Sequence, residues 1–357
     1  MSILPTPADV LSEPPTIRDI ALRAGVGIAT VSRVVNRSPL VTRETQERVR
    51  RVMEEMGYAP GGVSRRRSRS RKLRGAHGAV CLLFAGHPTL NWMINSAPIY
   101  AYAIQGAEAA LNARGLHCII RHLPEPVDVS RLTGIPVDGF VVLSGGDLND
   151  WPDKLKAVPR VKMLGLAGSG WSDCVTYNPD GVGALAASHL ASLGVRRVAV
   201  IGDDSTAVFR RRSQAFCEHF SMVDLGHAEN LSRPGMIRSG VDMHEANRDV
   251  VAAAINALLA LPERPAGIFV TADIVVPEVY RQLTARGVRP GIDIHVISCN
   301  NERPYLAALS PRPAVVDIRA EAIGREAVER LMWRMNNPDA PNLSLLLDPV
   351  LVPPGPA

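Results

Sequence analysis

No stretch of this chain reaches the roughly 18 consecutive apolar residues that a membrane-spanning helix needs. The opening MSILPTPADVLSEPPT has neither a basic start nor an apolar run of signal-peptide length. A membrane protein and an exported one are therefore not expected, and the cytoplasm is the expected location. Cysteine is sparse and scattered: Cys81, Cys118, Cys174, Cys217 and Cys299 form no C-x-x-C pair, which argues against a disulfide framework and against a thiolate metal site. Reduced, buried thiols are the expectation. Catalytic signatures are missing too. GLAGSGW lacks the G-x-S-x-G spacing of a nucleophile elbow, no G-x-x-x-x-G-K-[ST] loop occurs, and LSGGD is only a Gly-rich strand end. His117 with His122, and His219 with His227, make no H-E-x-x-H or other ligand set. No enzyme, cofactor or metal is expected.

What is present divides the chain unequally. With 357 residues and 46% hydrophobic content, two or three packed units are expected. The net charge of +5 hides an asymmetry: residues 1–76 carry 15 Lys/Arg against 7 Asp/Glu, or +8, and residues 77–357 carry 25 against 28, or −3. Clustered cations bind polyanions by releasing condensed counterions, so the N-terminal part alone is marked for a polyanionic partner.

Residues 1–15 are polar and Pro-containing and read as a flexible tail. From Thr16 the pattern becomes helical. Thr16 can cap a helix with Asp19 three residues on, and Ile17, Ile20, Ala21 and Ala24 recur at helical spacing. Gly25-Val26-Gly27 then gives a tight turn, and Ile28 to Asn36 forms a second short helix with Val31, Val34 and Val35 for packing. After a loop, TRETQERVRRVMEEMG forms a third helix whose Val49, Val52, Met53 and Met56 share a face. Two short helices around a Gly turn, buttressed by a third, are a helix-turn-helix headpiece over residues 16–60.

The run TIRDIALRAGVGIATVSRVVNRSPLVTRETQERVRRVMEEMGYAP resembles the headpiece of the lactose-repressor (LacI/GalR) family of bacterial transcription regulators along its whole length. The resemblance implies that the second helix enters the major groove of operator DNA. It places Ile28, Ala29 and Arg33 at base edges: a guanidinium can bond bidentately to guanine, and the two apolar side chains can meet a thymine methyl. Thr30, Ser32, Asn36, Thr42 and Thr45 match phosphate-touching positions, with helix capping the alternative for Thr42.

The segment Gly61–Gly75 links headpiece to core within a basic linker, residues 61–76. In the family it forms a hinge helix that wedges a leucine into the minor groove, which implies minor-groove roles for Val63, Ser64, Arg65, Arg66 and Arg67. Here Gly61 replaces the usual Asn, Gly62 lowers helix propensity, and Arg67 stands at the wedge position. Two readings stay open: a segment that folds on DNA, and a solvated basic tether.

From Ala76 the sequence alternates apolar strand-like runs (AVCLLFA, LHCIIRH, GFVVLSG, RVKMLGL, RRVAVIG, AGIFVTA, DIHVISC, AVVDI) with helical stretches such as AYAIQGAEAALNARG. That rhythm predicts βαβ units and parallel sheets flanked by helices. The resemblance implies an α/β core of two lobes, like periplasmic binding proteins, over residues 77–350, with residues 351–357 a tail. Crossings between lobes are expected near Asn178, near Arg303 and after Asn336.

A cleft between lobes suits a small ligand, because closure couples occupancy to rotation. By resemblance, FRRRSQAF places Arg212 at a ligand-binding arginine, with Ala215 where the family has glycine. FVTAD supplies Asp273, VISCNN supplies Asn300 where an aspartate is usual, and Tyr100 supplies an aromatic. The alternatives are a solvated helix start at Arg212, a cap at Asp273 and ordinary core at Tyr100. Asparagine in place of aspartate removes a negative charge, so a polar ligand, a sugar or a sugar acid, is the expectation. The implied whole is a homodimer binding double-stranded operator DNA under control of a small effector. A tetramer is not expected, because the Pro-rich tail has no heptad repeat.

Overall fold

The computed structural model describes residues 17–35, 41–56, 77–86, 89–91, 97–144, 148, 150–165, 170–222, 225–237 and 247–355. Thr16, Asn36 and the linker residues Val63, Ser64, Arg65, Arg66 and Arg67 lie outside them, as does the side chain of Ala29. The chain falls into two units, 1–72 and 73–357.

In the first unit, α1 (Ile17–Ala24), α2 (Ile28–Val35) and α3 (Arg43–Glu55) follow the apolar periodicity of the sequence. Ile20, Ala21, Ala24, Val31, Val34, Val49, Val52 and Met53 bury themselves on one another and form a core drawn wholly from this unit. At about 1.5–3 kcal/mol for each large aliphatic side chain removed from water, that cluster is what holds three short helices together.

The second unit runs through β1 (Ala79–Ala85), α4 (Pro98–Asn112), β2 (His117–Leu123), β3 (Gly139–Ser144) and α5 (Asp153–Lys156). It continues with β4 (Arg160–Met163), β5 (Asp173–Tyr177), α6 (Pro179–Ser192), β6 (Arg197–Ile201), α7 (Ala207–Met222) and β7 (His227–Asn230). Then come α8 (Arg248–Leu259), β8 (Gly267–Val270), α9 (Val276–Thr284), β9 (His295–Cys299), α10 (Arg303–Leu306) and β10 (Ala314–Asp317). Helix α11 (Ala320–Asn336), β11 (Ser344–Leu347) and β12 (Val350–Val352) complete it.

These strands make two six-stranded sheets, ordered β11-β5-β4-β3-β1-β2 and β12-β10-β9-β8-β6-β7. Every pairing is parallel except that of β10 with β12. Parallel strands are covered on both faces, which is why β1, β5 and β8 are buried at every position. On the first sheet α4 and α11 touch backbone to backbone: a β-carbon on Gly106 would stand 1.8 Å from the Glu321 carbonyl oxygen, and one on Gly324 1.9 Å from that of Ala103. Only glycine permits this approach.

The chain passes between lobes at Asn178, at Ile318–Arg319 and at Asp348–Pro349, the joints between elements of different sheets. The first crossing falls where expected. The second does not lie near Arg303, because β10 still pairs with β9 in the second lobe, and only α11 turns its Ile323, Ala327 and Leu331 into the core around the first sheet. The third comes later than Asn336, because β11 first joins β5. Strand β12 also carries the core past residue 350, since Val352 pairs with Val315. Two crossings are tied together: Asn178 caps α6 by accepting from the Asp180 and Gly181 amides at 3.1 and 3.2 Å, and its Nδ2 donates to Asp348 Oδ1 at 3.2 Å.

The segment entering β11 is anchored on one carboxylate. Asp173 is wholly buried and accepts from Arg334 Nε and Nη2 at 2.9 and 2.8 Å, Arg330 Nη2 at 3.0 Å and the Leu343 amide at 2.8 Å. Burial alone would raise its pKa, but these donors hold it below the ordinary carboxylate value.

Candidate functional site

Two separate surfaces carry polar chemistry. On the headpiece, Val31 and Val34 turn inward, so the opposite side of α2 meets solvent: Ile28 is 49% exposed and Arg33 is exposed. Four residues apart, Ile28 and Ser32 share one line of the helix, as do positions 29 and 33. Ile28 and Arg33 thus both stand on the solvent face of α2. Thr30 and Ser32 are half-buried at the margin of this face. Thr42 precedes α3 without a side-chain cap bond; its hydroxyl instead pairs with that of Thr45 at 2.9 Å, which puts two hydroxyls side by side on the outside. Thr42 stands at the N-cap position of α3, its carbonyl accepting the Gln46 amide at 2.9 Å, without a bond from its side chain to the helix backbone.

The second surface lies where the two sheets of the core meet. Arg212 is 2% exposed, whereas Arg210 beside it is exposed, which fixes the register of FRRRSQAF. Its Nε donates to the Tyr177 hydroxyl at 2.9 Å and its Nη1 to the Thr271 carbonyl at 2.7 Å. Tyr177 ends a strand of the first sheet and Thr271 follows one of the second, so one guanidinium bridges both lobes. The cation also stacks on the rings of Tyr177 and Phe209, 4.7 and 5.3 Å from their centres. Burial opposes the charge, yet neighbouring Cys299, Tyr177 and Glu302 more than offset it and Arg212 stays protonated.

Around Arg212 the chain ends of β8 and β9 converge. Asp273 is fully buried and is not a helix cap; its Oδ2 accepts the Glu302 amide at 2.6 Å. Burial first, and the charge of Glu302 second, push its pKa well above the ordinary value. Asn300 and Asn301 leave β9 with φ of 114° and 66°, the left-handed side that asparagine tolerates better than other residues. This kink turns the next residue, Glu302, inward. Glu302 is 2% exposed; its Oε1 accepts the Ile99 amide of α4 at 3.0 Å and its Oε2 accepts Asn300 Nδ2 at 3.0 Å. Tyr100, partly buried against the core, sits close enough that burial and the Glu302 charge push its hydroxyl up to about 12.

Tyr100, Arg212, Asp273 and Asn300 are thus brought into one cluster. Glu302, Tyr177 and the Ile99 amide belong to it and were not foreseen. Paired asparagines at a strand end were the available signal, since they mark a left-handed turn that re-aims whatever follows. Glu302 also corrects the charge balance: Asn300 removes one carboxylate, and Glu302 two residues later puts one back. Among the described residues there is no group of His, Cys, Asp and Glu placed to hold a metal ion, and no helix is long and apolar enough to cross a membrane.

Similarity to known proteins follows the same division. Residues 16–61 match the model for bacterial regulatory proteins of the lacI family, and residues 187–353 match that for a periplasmic binding protein-like domain. The ribose operon repressor of Haemophilus influenzae is 25% identical over 346 residues, covering 94% of this chain and 97% of the relative. The regulator CelR of Thermobifida fusca is 27% identical over 344 residues, covering 94% and 96%, and the repressor PurR of Vibrio atlanticus is 25% identical over 335 residues, covering 91% and 93%. Among solved structures, a CelR–cellobiose complex superposes with a TM-score of 0.63 at 24% identity, covering 96% of this chain and all of that one. A lac repressor dimer bound to operator and anti-inducer superposes with a TM-score of 0.59 at 19% identity, covering 96% and 98%.

Proposed function

The chain belongs to the lacI family of bacterial regulatory proteins, and as a DNA-binding transcriptional repressor we propose that it answers to a small polar ligand, a sugar or a related polyhydroxylated molecule, bound between its two core lobes. Arg33 and Ile28 read base edges in the major groove, position 29 adds an apolar contact, and Thr30, Ser32, Asn36, Thr42 and Thr45 hold phosphates. The protein acts as a homodimer whose paired headpieces grip a two-fold operator, and the basic linker from Val63 to Arg67 follows the DNA backbone. Tyr100, Arg212, Asp273 and Asn300 line the ligand cleft.

The observation that carries this reading is the position of Arg212. One buried cation bonded to Tyr177 of one lobe and Thr271 of the other is strained or relieved by any rotation between them. A ligand that alters this bridge changes the lobe angle, and with it the separation of the two linkers, a coupling of about 1–3 kcal/mol in operator affinity.

The test starts with selection of binding sites from random duplexes by the full-length protein. A thermal-shift screen of sugars and nucleosides follows, then operator titrations with and without the stabilising compound. A pseudo-palindromic motif whose affinity shifts at least about fivefold with ligand supports the proposal. Absence of an enriched motif, or a ligand that leaves operator affinity unchanged, defeats it.

A further inference from the structure

The two faces of the first sheet are covered unequally. One carries α4 and α11. The other is crossed by the connections 124–138 and 145–159, which hold among the described residues only a 3₁₀ turn (Val129–Leu132) and the four-residue α5. Parallel crossovers usually pack a full helix in such a place. Side chains fill part of the gap: Trp151 tilts onto Phe140 and stacks with Trp171, with 5.4 and 6.2 Å between ring centres. They leave a cavity of about 600 Å³ beyond the carboxyl ends of β1 and β3, within the size range of small-molecule sites. This cavity belongs to the first lobe alone. Phe84 and Leu143 turn into the core that packs Tyr100 and Tyr177, whereas their successors Ala85 and Ser144 turn the other way and line the cavity.

The lining has two kinds of surface. Val127, Leu148 and Trp151 give an apolar floor, and Glu125, Asp128 and Asp150 bring carboxylates to its rim. Glu125 lies across the end of β1, since a β-carbon on Gly86 would stand 3.5 Å from its Oε1. Among the described residues neither Glu125 nor Asp150 has a hydrogen-bond or ion-pair partner. Lys156, the cation of the lining, is already paired with Asp153 at 2.6 Å. The carboxylates are not gathered closely enough to hold a metal ion. Negative charges held apart around an apolar floor match a ligand whose own cations are held apart by methylene groups.

We propose that this cavity is a second ligand site, separate from the cleft between the lobes, and that it takes a linear oligoamine. Its ammonium groups meet Glu125 and Asp150, and its methylene segments lie on Val127, Leu148 and Trp151. Asp128 shapes the rim, because its Oδ1 accepts the Ser130 amide at 3.0 Å and the Ser130 hydroxyl at 2.5 Å.

The experiment titrates full-length protein, free of DNA, by calorimetry at about 0.15 M salt, where long-range charge effects are screened. The probes are putrescine, spermidine, 1,4-butanediol and magnesium chloride. Both amines should bind, each at least about tenfold tighter than the uncharged diol and than magnesium. The double variant Glu125→Gln with Asp150→Asn should lose about tenfold in amine affinity. Asp339→Asn, at an exposed carboxylate outside the cavity, should leave that affinity unchanged. Glu125 and Asp150 are exposed, so their replacement should not disturb folding, which circular dichroism melts check. Absence of amine binding overturns the proposal. Magnesium binding as tight as that of spermidine overturns it too, since it would mark a general counterion effect. An amine affinity that the double variant keeps, or that Asp339→Asn lowers as much, has the same consequence.

Discussion

Ala215 of α7 lies against Gly183 of α6 so closely that a β-carbon on the glycine would stand 2.7 Å from the alanine methyl and 2.4 Å from the Phe216 nitrogen. The sequence carries alanine where the family pattern R-x-x-G-F has glycine, and the room for that methyl comes from the neighbouring helix. The packing matters because Arg212 is one turn earlier on α7 and depends on the register of this pair. Gly183→Ala is expected to destabilise the protein by about 1–3 kcal/mol. Adding Ala215→Gly should not restore it, since the backbone around Phe216 is still in the way. Urea denaturation of the two variants decides this, and full recovery in the double variant would show that the methyl alone was the obstacle.

At the headpiece, Arg33→Ala should cost about 1–3 kcal/mol on the selected operator and relax preference at one base pair. Thr30→Ala should weaken all duplexes alike, because a phosphate bond carries no sequence information. Site selection repeated with each variant separates the two: an unchanged motif with Arg33→Ala removes that residue from base readout.

Replacing Arg65, Arg66, Arg67 and Arg69 with Gln tests the linker. For every phosphate these side chains neutralise, the slope of log affinity against log salt should flatten by about one unit in the variant. Fluorescence anisotropy across a salt series gives the slope, and an unaltered one would mean that these arginines do not touch DNA.

Asp173 makes a prediction about acid. Its pKa is depressed by Arg334 and Arg330, so the stability it contributes is complete above the ordinary carboxylate pKa and is lost as pH falls through the lower folded value. Asp173→Asn leaves the buried Arg334 and the half-buried Arg330 short of a counter-charge and should cost about 3 kcal/mol at neutral pH. The variant should also lose less further stability on acidification than the unmodified protein. Parallel losses from pH 7 downward would show that Asp173 does not titrate with unfolding.

Strands β1, β3, β6 and β8 were legible because buried parallel strands read as unbroken apolar runs, and Arg212 was legible from one short motif. Other elements escaped for physical reasons. Strand β7, HAEN, lies at an edge and is polar, and β11 and β12 hide in a Pro-rich tail where SLLL and VLV are too short to announce themselves. Their existence depends on partners far away in sequence, Cys174–Tyr177 for one and Val315–Asp317 for the other. The second crossing was misplaced for the same reason, since the preference of AVVD for β9 is invisible locally. Glu302 was missed because its meaning comes from Ile99, some two hundred residues earlier, and from a backbone kink that no side-chain pattern spells out.

Strands β11 and β12 edge two sheets whose first strands begin at Ala79 and Arg197. During synthesis, then, the first lobe lacks an edge strand until Leu347 has left the ribosome and the second until Val352 has, whereas the headpiece has its whole core by Met56. A message broken between these points would release chains with a complete headpiece core and unfinished lobes.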